Sequence, residues 1–308
     1  MAGEFKPTEA ATSVFTFIKA YPAFVARFVL FSIAATLPWI IYFVFVSGKI
    51  IEHVGLDGRN WEDIEAFRAM LSQINALPLL IATAIFWFAL SIATQAMAIR
   101  KTVLNQETGI LGLAWGGFET RLSIICIIFS FAPLLIFWPL FKTFAIMADG
   151  TARIEALVAP LVLFCIAFLF FIPFFIYAIG RWGLYGICAL QENNFGIKAA
   201  GKVSKGRFWV LFGAFALTYL IWMVISGIFQ NLGRVLLGLH DVVITDPTEF
   251  AEFMALFTPE LISKFSVYML VLMIIGALMH LAYICTGAFA YLKIKQAEAA
   301  NHALEETK

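Results

Sequence analysis

Six long apolar runs constrain this chain more than any other feature. A membrane-spanning helix needs about 20 mostly apolar residues. The runs of that length are Phe28–Val46, Leu77–Ile99, Leu122–Phe141, Ala156–Ile179, Phe208–Leu232 and Ser266–Leu292. Because lipid offers the backbone no hydrogen-bond partners, and because no run alternates polar with apolar residues as a barrel strand does, helices are favoured. The sequence predicts an all-α polytopic membrane protein with six transmembrane helices in a single integral membrane domain, residues 1–308.

Composition supports this class. The chain is 62% hydrophobic and only 13% charged, whereas an ordinary soluble domain is about a quarter charged. The net charge of +1 gives no overall bias toward nucleic acid. The cysteines lie in or beside apolar runs without a C-x-x-C pair, so we expect neither a disulfide framework nor a metal site.

The distribution of charge between the loops predicts the orientation. About two-thirds of the 21 lysines and arginines lie on one side of the predicted spans, in the N-terminal segment, Ile99–Arg121, Gly180–Arg207 and the tail after Tyr291. The loops on the other side are rich in aspartate and glutamate. Because cytoplasmic loops carry an excess of Lys and Arg, we expect both termini in the cytoplasm.

Similar junctions begin alternate spans. Arg27, Arg121 and Arg207 each stand directly before an apolar run, and each follows a short, half-apolar segment. A fixed recurrence of this kind indicates repeats. The units would be residues 8–100, 101–181 and 182–295, each an interfacial helix followed by a two-span hairpin, with a disordered tail at 296–308. Since an arginine at a membrane boundary is common, chance recurrence is the alternative.

The segment from Arg181 to Trp209 is the most basic part of the chain. We call it the basic segment, and its candidate lipid-contacting residues are Arg181, Trp182, Lys198, Lys202, Lys205, Arg207 and Trp209. Each Lys or Arg near an anionic leaflet contributes about 1 kcal/mol to membrane attraction. The alternative is that these charges only enforce the orientation.

His280 is the candidate polar group inside the membrane. It lies near the middle of the sixth predicted span, where an ionisable residue is a functional hypothesis by default. Packing is the alternative, because a neutral histidine needs only one or two hydrogen-bond partners. Gln95, Thr218 or Tyr219 could supply them.

Prolines interrupt the first, third and fourth predicted spans, at Pro38, Pro133, Pro139, Pro160 and Pro173. Broken helices line substrate sites in some transporters, although proline is also simply commoner in membrane helices. No H-E-x-x-H or G-x-S-x-G motif is present in the sequence. We therefore expect no catalytic residues, no metal and no cofactor.

The basic segment also carries a resemblance. Its Arg-aromatic opening leads to Glu192-Asn193-Asn194-Phe195-Gly196, an Ala-Ala pair and Lys205-Gly206-Arg207-Phe208-Trp209. Together with the junction Gly117-Phe118-Glu119-Thr120-Arg121, this pattern resembles the membrane domain attached to some bacterial glycerophosphodiester phosphodiesterases. It is also similar to the related YciC-like family of uncharacterised inner-membrane proteins.

The resemblance implies a bacterial inner-membrane module that can exist without the phosphodiesterase and that serves envelope or membrane homeostasis. The catalytic barrel and its acids and histidines have no counterpart here, so the activity is not carried over. Our leading interpretation is a non-enzymatic module that interacts with lipids or acts as a scaffold. Its expected partners are membrane lipids and a membrane protein or a second copy of the chain. The alternative is a small-molecule or lipid transporter that uses proline-broken helices and His280.

Overall fold

Helices make up the regular structure of this protein. The computed structural model describes residues 5–54, 76–109, 111–129, 154–237 and 259–306, and these residues contain no β-strand. The helices are α1 (Pro7–Ala20), α2 (Pro22–Val54), α3 (Ala76–Leu104), α4 (residues 117–129), α5 (Ile154–Trp182), α6 (Tyr185–Glu192), α7 (Ile197–Val203), α8 (Phe208–Leu236) and α9 (Pro259–Glu306). The predicted all-α class is confirmed.

Five stretches in the described residues are long and apolar enough to cross a membrane. They are Pro22–Tyr42, Pro78–Leu104, Val162–Glu192, Phe208–Gly233 and Ser263–Glu306. Each overlaps one of the predicted runs. The remaining run, Leu122–Phe141, is described only as far as residue 129, where it forms part of α4. Its other residues lie outside the described part of the chain.

Large apolar side chains cover the outer surfaces of these helices. On α5, Leu169 is 69% exposed and Phe170 is 75% exposed. Soluble proteins rarely expose contiguous apolar patches of this kind, whereas in lipid such side chains lose nothing by facing outward. The chain is a polytopic membrane protein.

Packing contacts group the chain into two compact units. Unit 1 comprises Met1–Phe17, Gln95–Thr218 and Ala282–Lys308, and unit 2 comprises Ile18–Thr94 and Tyr219–Leu281. In unit 1, the ring of Phe215 stacks on that of Tyr283 with 4.6 Å between centroids. A buried hydroxyl pair, Thr218 and Thr286, joins α8 to α9 at 2.8 Å.

Unit 2 packs through aromatic contacts. The indoles of Trp39 on α2 and Trp87 on α3 meet edge to face at 6.5 Å. Gly233 on α8 lies so close to Tyr268 on α9 that a Cβ there would stand 2.0 Å from the ring. Any side chain at residue 233 would displace Tyr268.

Local sequence signals explain where several of the helices begin and end. Pro22 begins α2, since proline lacks the N–H that the first turn of a helix leaves unpaired anyway. Asn193 ends α6 with φ of 52°, a left-handed conformation that asparagine tolerates. Gly196 follows with φ of 72°, and a Cβ there would stand 2.2 Å from the Tyr185 carbonyl oxygen.

The structure differs from two of the expectations. The tail predicted to be disordered from residue 296 is helical as far as Glu306, because its alanines favour helix and Lys295 pairs with Glu298 at 3.0 Å. Helices α2 and α5 also continue through Pro38, Pro160 and Pro173 without a break. Pro133 and Pro139 lie outside the described residues.

The three repeats stay a prediction. Helices α1 and α7 precede the junctions at Arg27 and Arg207, as expected for interfacial helices. Before Arg121, residues 111–116 are not helical, and helix begins only at residue 117. The middle unit therefore lacks a separate helix at that place.

Replacing Thr218 with valine tests the packing of unit 1. The change keeps the shape of the side chain and removes the hydroxyl that pairs with Thr286. Because hydrogen bonds between membrane helices contribute about 0.5–2 kcal/mol, the free energy of unfolding in detergent should fall by that amount. Thr94→Val is the matched control, since the buried Thr94 hydroxyl donates only to the Leu90 carbonyl oxygen of its own helix. Equal losses for the two variants would contradict the role of the pair.

Candidate functional site

The basic segment folds as two short helices that follow the end of α5. After a turn at Gly183 and Leu184, α6 runs to Glu192, and the Gly196 N–H donates to Asn194 Oδ1 at 2.6 Å before α7 begins. Helix α7 packs against α5 and α6. Its inner face is buried and consists of Ala199, Ala200 and Val203. Its outer face carries the lysines.

Lys198 and Lys202 lie one helical turn apart on that outer face, and both are exposed. Lys205 is exposed in the turn that follows α7. Their ammonium groups therefore stay hydrated while the apolar side of α7 is covered. Three of the predicted lipid-contacting cations are available at the surface of unit 1.

Arg181 and Arg207 differ from the lysines, since both are half-buried. The Ser204 hydroxyl is fully buried and donates to the Arg181 carbonyl oxygen at 3.1 Å, which ties the end of α7 to the end of α5. Arg207 donates to the Val203 carbonyl oxygen at 3.1 Å and lies 3.5 Å from Glu298 Oε1. Arg207 thus links the end of α7 to Glu298 on α9 and stabilises the basic segment.

The two tryptophans of the basic segment differ in their exposure. Trp209 is 74% exposed, and its indole meets the Phe208 ring edge to face at 4.9 Å. Trp182 is half-buried among rings, with Phe129 at 6.1 Å and Tyr177 at 5.6 Å. Only Trp209 presents an indole outward, as aromatic residues at a membrane interface do.

A buried ion pair supports this end of unit 1, and sequence reasoning missed it. Glu119 on α4 is fully buried and pairs with the guanidinium of Arg100 at the end of α3. The Gly116 N–H donates to its other carboxylate oxygen at 2.9 Å, and the Arg100 guanidinium lies 5.3 Å over the Phe118 ring. The available signal was an acid placed directly before an apolar run, two residues ahead of Arg121.

Arg121 connects α4 to the basic segment. Its Nη2 donates to Asn193 Oδ1 at 2.6 Å, at the residue whose left-handed backbone ends α6. Arg121 and Asn193 both belong to the motifs that carried the family resemblance. The structure gives them a positional role, since together they hold the turn between α6 and α7 against α4.

His280 on α9 belongs to unit 2, and its imidazole meets the Phe28 ring edge to face at 6.1 Å. Its side chain is exposed and makes no hydrogen bond to any residue that the structure describes. Of its expected partners, Thr218 pairs with Thr286, and Gln95 accepts from Cys126 Sγ at 3.9 Å. His280 therefore has no hydrogen-bond partner among the residues that the structure describes.

A polar cluster between helices of unit 1 was not predicted. Cys126 Sγ lies 3.3 Å from the Tyr185 hydroxyl as well as near Gln95. The three residues come from α4, α6 and α3. Because each has a partner within the cluster, this arrangement stabilises the packing of the helices.

Comparisons with protein-family models, with curated proteins and with solved structures find no match for this chain. The resemblance to the membrane domain of glycerophosphodiester phosphodiesterases therefore stays a prediction.

Glu119→Gln tests the buried ion pair. The variant keeps the bond from Gly116 but leaves the largely buried Arg100 without a counter-charge. Because breaking a buried pair costs about 3–5 kcal/mol, a large loss of unfolding free energy should follow, measured by thermal or denaturant unfolding in detergent.

The double variant Arg100→Met with Glu119→Gln should recover at least half of that loss, since it leaves no unpaired charge. Glu107→Gln is the control, because Glu107 is 32% exposed where Glu119 is fully buried, and an acid in that setting should contribute at most about 1 kcal/mol. Arg100→Met alone completes the cycle. A double variant whose loss equals the sum of the losses of Glu119→Gln and Arg100→Met would show that Arg100 and Glu119 do not interact.

Proposed function

We propose that this protein is a non-enzymatic module of a bacterial inner membrane whose basic segment binds anionic phospholipid headgroups on the cytoplasmic side. The observation that carries the proposal is the two-faced geometry of α7. Its inner face is buried, and Lys198 and Lys202 stand exposed on its outer face.

Electrostatics supports the choice of ligand. The cytoplasmic leaflet carries a negative surface potential, and each nearby lysine contributes about 1 kcal/mol of attraction. Lys198, Lys202 and Lys205 would together contribute about 3 kcal/mol at low ionic strength, an attraction that salt would screen. The excess of basic residues on the same side of the predicted spans supports a cytoplasmic location.

The aromatic residues support an interfacial position. Trp209 is the second residue of α8 and is exposed, so its indole N–H would sit at the headgroup level while the rest of the ring contacts acyl chains. An integral protein that collects anionic lipid at one face suits a role in membrane homeostasis, which is also what the family resemblance implies. A scaffold for a partner protein would use the same face.

Transport receives less support. That interpretation rests on His280 and on helices broken at prolines, yet α2 and α5 run unbroken through Pro38 and Pro173. His280 contacts the Phe28 ring and finds no second polar group among the described residues. A substrate flux that is lost in a His280→Ala variant would support the transporter interpretation.

The triple variant Lys198→Gln, Lys202→Gln, Lys205→Gln tests the proposal. Reconstitution of the full chain into nanodiscs of mixed phosphatidylglycerol and phosphatidylcholine should enrich the anionic lipid around the wild-type protein. The variant should lose most of that enrichment, because it lacks three lysines that together contribute up to about 3 kcal/mol of attraction to anionic lipid. Mass spectrometry of the lipids that stay with the released protein measures the effect.

The matched control replaces the same three lysines with arginine, which keeps the charge and should keep the enrichment. Raising the salt concentration should weaken the preference of the wild-type protein and leave that of the glutamine variant unchanged. Equal enrichment by the wild-type and glutamine proteins would refute the proposal.

A further inference from the structure

Unit 1 contains an apolar groove that none of the contacts described so far explains. It has a volume of about 200 Å³. Helix α5 supplies Phe171, Phe174, Phe175 and Ala178, and other helices contribute Phe129, Tyr185 and Tyr283 to the lining. We call it the aromatic groove. Its lining is almost entirely carbon, so its occupant must be apolar.

The groove is open to the surroundings of the protein. Phe174 is 43% exposed and Phe175 is 51% exposed, although both rings line it. Since α5 is an apolar span, the medium along this face is lipid. A hydrocarbon chain can therefore reach the groove from the bilayer without crossing a polar barrier.

The length of the groove matches one leaflet. Along α5 it extends from Phe171 to Trp182, about 16 Å at the rise of an α-helix. The hydrocarbon core of a bilayer is about 30 Å thick, so half of it is about 15 Å. A single acyl chain in one leaflet has the reach to follow the groove from the bilayer centre to the headgroup level.

Two basic residues lie close to the Trp182 end of the groove. Trp182 lines the groove there and follows Arg181 in sequence. The hydrogen bond from the Ser204 hydroxyl to the Arg181 carbonyl oxygen brings the exposed Lys205, the next residue, to the same place. An anionic headgroup whose chain fills the groove would meet these cations.

The geometry points to a binding site for one anionic phospholipid, with an acyl chain in the aromatic groove and its phosphate beside Arg181 and Lys205. This site rests on the proposed function and deepens it, because it fixes a lipid at a defined position where the lysines alone would only enrich lipid at the surface. Aromatic walls suit this role, since they present large rigid surfaces to the chain.

Ala178→Trp tests the site by filling the groove. Delipidated full-length protein in detergent is titrated with dipalmitoyl phosphatidylglycerol, and native mass spectrometry counts the lipids retained per chain. The wild-type protein should retain one, and Ala178→Trp should bind it at least tenfold more weakly. Leu169→Trp is the matched control, because Leu169 lies on the same helix, is 69% exposed and does not line the groove. It should bind as the wild-type protein does.

Dihexanoyl phosphatidylglycerol gives a second measurement on the unaltered protein, should Ala178→Trp fail to fold. Its chains are too short to follow the groove, so it should bind at least tenfold more weakly than the dipalmitoyl lipid, and equal affinity would overturn the site. Retention of one lipid by Ala178→Trp as tightly as by the wild-type protein would overturn it as well. So would a wild-type dimer without lipid, since the groove would then hold a second copy.

These outcomes are distinct from a failure of the proposed function. If the wild-type protein prefers phosphatidylglycerol to phosphatidylcholine but Ala178→Trp binds normally, only the groove site is overturned. If the wild-type protein shows no such preference, the proposed function fails and the groove site fails with it.

Discussion

Hydrocarbon offers the backbone no hydrogen-bond partner, and this constraint governs the whole structure. Each apolar run folds as a helix that satisfies its own amides and carbonyls, and five such stretches appear among the described residues. Side chains then face outward without cost, which is why Phe170 on α5 is 75% exposed. Polar groups therefore either pair with one another inside the protein or lie near the helix ends, where they can reach water and headgroups.

Paired polar groups hold unit 1 together at the end where α3, α4 and the basic segment meet. Glu119 neutralises Arg100 away from water, Arg121 binds Asn193, and the Ser204 hydroxyl binds the Arg181 carbonyl oxygen. Each contact joins one helix end to the next. With these groups satisfied internally, the lysines of α7 are left free of the packing and available to headgroups. The same arrangement brings the aromatic groove of α5 next to positive charge.

The sequence predicted the features that depend on local composition. Run length alone placed the spans of α2, α3, α5, α8 and α9, because lipid makes hydrophobicity decisive. The exposed Lys198 and Lys202 followed from charge in a loop. Contacts between distant residues were beyond such reasoning. The sequence did not indicate that Glu119 is paired, since its pairing with Arg100 depends on the way α4 packs against α3.

Two further differences have the same origin. The alanine-rich end of α9 looked like a polar tail, yet it stays helical to Glu306, and Glu298 within it lies near Arg207. The aromatic groove needed Phe129, Phe174 and Tyr283 to come together from three helices, which no periodicity in any one of them reveals. Residue type was enough to predict that the apolar helices face lipid. Which side chains of different helices contact each other became visible only in the fold.

The most direct test of the account is the lipid composition around the protein in its own membrane. Native mass spectrometry of protein released in native-membrane particles would measure the fraction of anionic phospholipid retained and compare it with that of the bulk membrane. The account predicts a clear excess of anionic lipid. A retained composition equal to that of the bulk membrane would contradict the central claim that the basic segment of this protein binds anionic headgroups.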